Sequence, residues 1–220
     1  KRFQIRTFSL YNAVLRNNIN TGNGGAVVVG YHSSFHIFNS VIENCSAKQG
    51  GAVYLFGGQQ GYYHGSFHFN GVTFRMNRAS TDGGAICAAG ELGYSEMIST
   101  TGSVFEDNVA GRYGGGIYAV KYEELCSLVF IGNQAQYGGA LYVNNPGLQF
   151  KVAMSNFTDN VATVSGNAIY VKAGNLLLNG GIIEGTIYKD AGTIKFSHIR
   201  SNVFPATFPD FTNSIVILNL

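Results

Sequence analysis

Charge is what this sequence has least of. Lys, Arg, Asp and Glu make up 12% of its 220 residues, about half of the quarter usual in soluble domains. The formal net charge is +2, and Lys and Arg are not clustered. This excludes a nucleic-acid backbone as partner, because that needs concentrated basic charge. No run reaches the ~18 apolar residues of a membrane-spanning helix; 26–29 and 215–218 are among the apolar bursts. The three cysteines, Cys45, Cys87 and Cys126, are scattered and odd in number, so they define neither a disulfide framework nor a metal site. The chain opens directly on a strand-like stretch, 1–10, without a signal-peptide pattern. The expectation is either a leader already removed or a segment of something longer.

What is abundant is glycine, at 30 residues, and Phe plus Tyr, at 16 and 13. The glycines are not scattered. An apolar residue, two spacers and Asn are followed five or six residues later by a glycine-rich strand start. The Asn positions read as Asn18, Asn44, Asn77, Asn108, Asn133 and Asn160, preceded three residues earlier by Leu15, Val41, Phe74, Phe105, Phe130 and Phe157. The glycines are Gly24, Gly50, Gly83, Gly114, Gly138 and Gly166, spaced 26, 33, 31, 24 and 28 residues apart. A two-part motif returning six times marks a repeat protein.

Periodicity within the repeat selects strands. After each glycine pair, Val27/Val29, Val53/Leu55, Ile86/Ala88, Ile117/Ala119, Leu141/Val143 and Ile169/Val171 share one face. Val28, Tyr54, Cys87, Tyr118, Tyr142 and Tyr170 take the other. Alternation of β-branched and aromatic residues is a strand signature, and a helix would lose about 1 kcal/mol per glycine. A strand repeat of about 27 residues that returns to the same register is satisfied by a β-helix, its coils stacked about 4.8 Å apart. The Phe column then points inward, each Asn turns a corner by bonding its own backbone or the Asn one coil above, and the glycines open the next strand where a Cβ would not fit. One domain spans 1–203. It has insertions at 57–66 and 90–102, and a tail at 204–220 holds Pro205, Pro209 and an apolar strand, Ile215, Val216, Ile217 and Leu218.

Phe-x-x-Asn paired with Gly-Gly-Ala and Ile, Leu or Val resembles the repeat of the chlamydial polymorphic membrane proteins, and of similar surface β-helix proteins of protists and bacteria. Phe74/Asn77, Phe105/Asn108, Phe130/Asn133 and Phe157/Asn160 carry the first half. Gly24, Gly50, Gly83 and Gly138 open matching second halves, whereas the Gly114 copy has Gly for Ala and the Gly166 copy has Asn for the second Gly. The resemblance implies an all-β, right-handed parallel β-helix of about seven or eight coils, an extracellular or cell-surface location, and a role in adhesion as the passenger of an autotransporter. The motif residues are scaffold and carry no chemistry of their own.

Catalysis by a β-helix lyase or hydrolase needs two or three carboxylates, or a carboxylate–Ca²⁺–base cluster, converging from adjacent coils. Glu43, Glu106, Asp107 and Asp159 sit in the corner between the Phe and Asn columns, where Glu106 and Asp159 occupy different slots and no repeated pair emerges, and Asp82 is placed to cap the turn before Gly83. The expectation is no catalytic, cofactor or metal site. His36 and His68 recur in Ser-Phe-His on neighbouring coils, as an outward stack without further ligands for a metal. The outward Tyr54, Tyr118, Tyr142 and Tyr170 form either a cross-strand stack or an amphipathic strip for a partner protein or glycan. Tyr62, Tyr63 and His64 in the first insertion form a contact patch or a merely tolerated loop. Of the two N-glycosylation sequons, Asn44 falls in the buried Asn column, whereas Asn156, beside inward Phe157, faces out.

No capping helix is found at either end, while Phe3, Ile5 and Phe8 are poised to pair and 214–218 has no obvious place in the coil. The chain is therefore read either as a slice of a longer solenoid or as copies stacked end to end, with the tail strand donated. The resulting expectation is a non-catalytic surface module that self-associates in a fibre or appendage, or an adhesin passenger. Its partners are itself or a cell-surface protein or glycan. The alternative is a carbohydrate-active or tailspike-like enzyme, which a cluster of carboxylates would reveal.

Overall fold

The computed structural model describes residues 6–31, 33–56, 66–89, 96–99, 102–120 and 124–200. Among them there is no helix, and the strands fall into three sheets. Sheet A has thirteen strands in two limbs. Its first limb stacks Val27–Val29, Val53–Leu55, Ile86–Ala89, Ile117–Val120, the leading parts of Leu141–Ala153 and Ile169–Ile182, and Ile187–Lys189. Its second limb stacks Arg6–Tyr11, Ser33–Phe38, Ser66–Asn70, Glu96–Ser99, Glu124–Cys126, the trailing parts of the two long strands, and Thr193–Arg200. Sheet B stacks Val14–Arg16, Val41–Glu43, Thr73–Arg75, Ser103–Glu106, Leu128–Ile131 and Asn156–Thr158. Sheet C stacks Ser46–Ala47, Arg78–Ala79, Val109–Ala110, Gln134–Tyr137 and Val161–Ser165. All pairings are parallel and join one turn to the next. The fold is a right-handed parallel β-helix. Residues 201–220, and with them the tail strand and the boundary expected at 203/204, lie outside the described residues.

The interior is filled by columns of identical type. Phe74, Phe105, Phe130 and Phe157 are Cα partners along sheet B and wholly buried. Their rings stack at centroid separations of 4.7, 4.9 and 4.7 Å. Stacking of this kind adds about 0.5–1.5 kcal/mol per pair beyond the burial of area.

Three residues on, the chain turns from sheet B to sheet C, and here the Asn column does more than bond its own backbone. Asn108 Oδ1 accepts from both the backbone N–H and the Nδ2 of Asn77, at 3.0 Å each. Asn108 Nδ2 donates to Phe74 O (2.9 Å) in the coil before and to Asn133 Oδ1 (3.0 Å) in the coil after. Asn77, Asn133 and Asn160 continue the pattern. A primary amide, with two donors and two acceptor lone pairs, is thereby fully satisfied in a dry corner.

The ladder corrects the expected register of coil two. There the buried pair is Ile42 and Cys45, not Val41 and Asn44. Cys45 N donates to Asn77 Oδ1 at 3.0 Å, and Asn18 Nδ2 lies 3.6 Å from Cys45 Sγ. Asn44 is exposed at φ 50°, one position before the column, where Met76, Asp107 and Asp159 also have positive φ.

The glycine pair divides its labour between two constraints. Gly83 sits at φ 67°, and a Cβ there would lie 2.2 Å from Ile86 O. Gly84 needs no special φ, but its Cβ would lie 2.1 Å from Gly115 O in the next coil. The first glycine is required by the turn and the second by the approach of neighbouring coils.

Asn108→Ala leaves the Asn77 N–H, half of the Asn77 amide and Phe74 O without partners in a buried corner. At about 1–3 kcal/mol per orphaned group, the expected loss is ~3–5 kcal/mol, read as a lower urea midpoint. Met76→Asn, at an exposed position of φ 53° that suits Asn, is expected to change stability by less than ~1 kcal/mol.

Candidate functional site

Outward positions of the first limb of sheet A carry the tyrosines. Tyr118, Tyr142, Tyr170 and Tyr188 are Cα partners on successive rungs, with rings stacked at 5.3, 5.2 and 5.1 Å. Beside this column stand Tyr113 and Tyr137, each the residue before a corner glycine. Tyr113 stacks on Tyr142 at 4.4 Å, and Tyr137 meets Tyr170 edge-on at 5.2 Å. Of the two readings of this column the geometry fits the cross-strand stack, with Tyr54, Tyr142 and Tyr170 only 8%, 4% and 6% exposed. Ring faces are consumed by neighbouring rings, which leaves edges and hydroxyls outward. A sugar stacking on an aromatic needs a free face, so the cluster is a second, external core and not a glycan platform.

Burial raises the pKa of Tyr118, Tyr142 and Tyr170 well above the usual phenol range; the charges of Cys87, of Tyr113 and of Asp190 respectively add to it. Burial pushes Asp190 up, but Lys172, with Tyr170 and Tyr188, holds it below the usual carboxylate range.

At the lower edge of the cluster lies Asp82, 1% exposed. It is held by Arg112 through two bonds, Nε to Oδ1 at 2.9 Å and Nη2 to Oδ2 at 2.7 Å, and by Gln49 Nε2 at 3.1 Å. The guanidinium lies 4.5 Å over the Tyr113 ring. Asp82 thus clamps three coils together through its carboxylate. Glu43, Glu124 and Asp190 likewise each face a cation, Arg75, Lys151 and Lys172. Among the described residues no three His, Cys, Asp or Glu side chains gather as a metal site.

His36 and His68 do stack, with centroids 4.3 Å apart, and His36 Nε2 pairs with Ser34 Oγ at 2.8 Å. The sequons exchange roles relative to expectation. Asn44 is exposed and donates to Asn17 Oδ1 at 2.8 Å, whereas Asn156 is half-buried and accepts from Ile182 N at 2.9 Å. Tyr62, Tyr63 and His64 lie outside the described residues.

Among the described residues, the first coil has a rung on one side only. Phe8, Tyr11, Val14, Ile19 and Val28 of the first coil are 61%, 61%, 58%, 81% and 47% exposed. One coil further, Phe35 and Tyr54, the column neighbours of Phe8 and Val28, are buried. A cavity of about 720 Å³ opens between the rims of this coil, lined by Phe8, Leu10, Leu15, Ala26, Val27 and Phe35 among others.

The model of the Chlamydia polymorphic membrane protein repeat matches residues 102–120 and 127–144. These segments hold Phe105/Asn108 with Gly114, and Phe130/Asn133 with Gly138, two adjacent coils of the stack. This chain carries that repeat. In this chain each matched segment carries three sides of one coil, with its Phe stacked, its Asn in the amide ladder and its glycines at the corner. No curated protein and no solved structure matches the chain. No helix among the described residues is long and apolar enough to cross a membrane.

The raised tyrosine pKa values fix the sign of the alkaline response. Unfolded phenols ionise near pH 10 while the folded stack retains its protons, so the folded state binds more protons above that pH. The stabilisation is complete below about pH 10 and is lost as pH rises beyond it towards the raised folded values. A titration followed at 295 nm is expected to show the phenolate signal of the stack only together with loss of β-structure by circular dichroism.

Proposed function

We propose that the chain is a non-catalytic, surface-associated β-helix section that assembles end to end. The apolar surface of the first described coil is the observation that carries this reading. Its inward columns end in Phe8, Leu10 and Leu15 and its outward ones in exposed Val14 and Val28, and among the described residues its strands keep one edge without a rung beside it, the arrangement that templates further β-pairing. The occupant is a second copy, which places a further rung over the open cavity. Each apolar side chain covered in this way contributes about 1.5–3 kcal/mol, and low overall charge keeps repulsion between copies weak. The apolar segment Ile215, Val216, Ile217 and Leu218 is the proposed donated strand. The match to a repeat of membrane proteins favours a closely related second reading, an adhesin passenger on the cell surface that contacts a protein or glycan through the corner loops.

Light scattering and electron microscopy of the 220-residue chain test the assembly. Filaments with an axial repeat of about 35–40 Å, from seven or eight rungs spaced about 4.8 Å apart, are expected, and Phe8→Lys with Val28→Lys is expected to return monomers. Deleting 214–220 separates a donated strand, where assembly is lost, from direct stacking of coils, where it persists. A monomer at every concentration overturns end-to-end assembly and leaves the passenger reading.

For modification, the accessible Asn44 is the proposed acceptor in a host that glycosylates Asn-x-Ser/Thr. Peptide mapping is expected to find the glycan there in preference to Asn156.

A further inference from the structure

The outward column of the first limb of sheet A contains a run of one chemical kind. From Tyr54 through Cys87, Tyr118, Tyr142 and Tyr170 to Tyr188, each Cα partner is a phenol or a thiol. These are side chains that lose one electron and one proton at comparable cost. The opposite, inward column of the same strands is Val53, Ile86, Ile117, Leu141, Ile169 and Ile187, none of which is oxidisable in this way. Contacts between the phenols are at ring-stacking distance, 5.1–5.3 Å along the column and 4.4 Å across to Tyr113. Electron tunnelling falls off exponentially with distance, so contacting rings offer the shortest steps.

We propose that this column is a radical relay, which takes one-electron oxidation at the half-exposed outer tyrosines and delivers it to the buried thiol of Cys87. The oxidant class is a diffusible one-electron radical. In the first step it removes an electron from an outer phenol such as Tyr188, and the phenolic proton passes to the surrounding buffer. In each following step the inner neighbour gives one electron and one proton to the outer phenoxyl, which becomes a phenol as the neighbour becomes a phenoxyl, so the radical moves inward. In the last, Tyr118 phenoxyl and Cys87 thiol become Tyr118 phenol and Cys87 thiyl. Dissolved dioxygen then adds to the thiyl sulfur and fixes the damage there.

Cys87 suits the terminus because every other route to it is closed. It is 0% exposed. Burial, with the Asp82 charge beside it, raises its pKa well above the ordinary thiol range, so it offers no thiolate to peroxides or alkylating agents. Transfer from a contacting phenoxyl needs neither access nor ionisation. Cys45 supplies the comparison within the same molecule. It is as deeply buried but stands in the Asn column, between Asn18 and Asn77.

The test exposes the folded 220-residue chain to radiolytic azide radicals in air-saturated buffer. The chain is then unfolded, its remaining thiols are alkylated, and each cysteine is quantified by mass spectrometry. Cys87 is expected to be lost while Cys45 is spared, and hydrogen peroxide is expected to leave both intact. Tyr118→Phe keeps the ring and removes the oxidisable hydroxyl next to Cys87; with its fold verified by circular dichroism, it is expected to protect Cys87 several-fold without protecting the half-buried Cys126. Tyr142→Phe, which leaves the side path through Tyr113, is expected to protect less. Equal survival of Cys87 and Cys45 in the parent chain overturns the relay. So does loss of Cys87 that Tyr118→Phe does not change, since the oxidant then reaches the thiol directly.

Discussion

The corner between sheets B and C has to bury polar backbone without water, once in every coil. A primary amide solves this only if an identical amide lies one rung above and another one rung below. Asn77, Asn108, Asn133 and Asn160 meet that condition, and the rest of the architecture follows from it. Fixing these positions at rung spacing brings Phe74, Phe105, Phe130 and Phe157 into register as one stack. It also brings successive coils so close at the next corner that Gly84 and Gly115 can carry no Cβ. A slip of one residue would orphan several buried groups at once, so register is held far more firmly than β-pairing alone would hold it.

In this fold, facing outward does not mean facing water. The tyrosines of sheet A point away from the β-helix interior, but Tyr113, Tyr137 and Arg112 lean over them from the neighbouring corner. The protein consequently has two apolar layers on either side of one sheet, the inner one aliphatic and phenylalanine-rich, the outer one built of phenols with a buried carboxylate at its margin. Chemical variety is confined to the outer layer because the inner must repeat to stack.

The Phe, Asn and Gly columns were legible because each is a single residue type at a recurring offset. Coil two was misread because Val41 and Ile42 are both apolar and Asn44 stands next to Cys45; only the hydrogen bonds of Cys45 decide which of the two enters the column. The external core was hidden for a related reason. Tyr113 and Tyr137 lie outside the strand alternation, and their contacts are with residues of other coils. A third device went unseen altogether. At the entry to sheet B, Ser40, Ser103 and Ser155 each accept from the backbone N–H of the preceding coil, at Ala13, Val72 and Leu128. This corner therefore repeats every two coils, a period longer than the motif that revealed the fold.

The two limbs of sheet A join at a place where the chain is not bound to one length. In Leu141–Ala153 and Ile169–Ile182 one strand continues from one limb to the other, with shifts of register on the way, whereas in earlier coils the limbs are separate strands with three to ten residues between them. Each other corner is locked, by amides, by paired glycines or by serines. Evolution of such a molecule is free to write new sequence along a single seam parallel to the axis, and to do so one coil at a time without disturbing the stack. Surface diversity and structural constancy are thus allotted to different edges of the same prism.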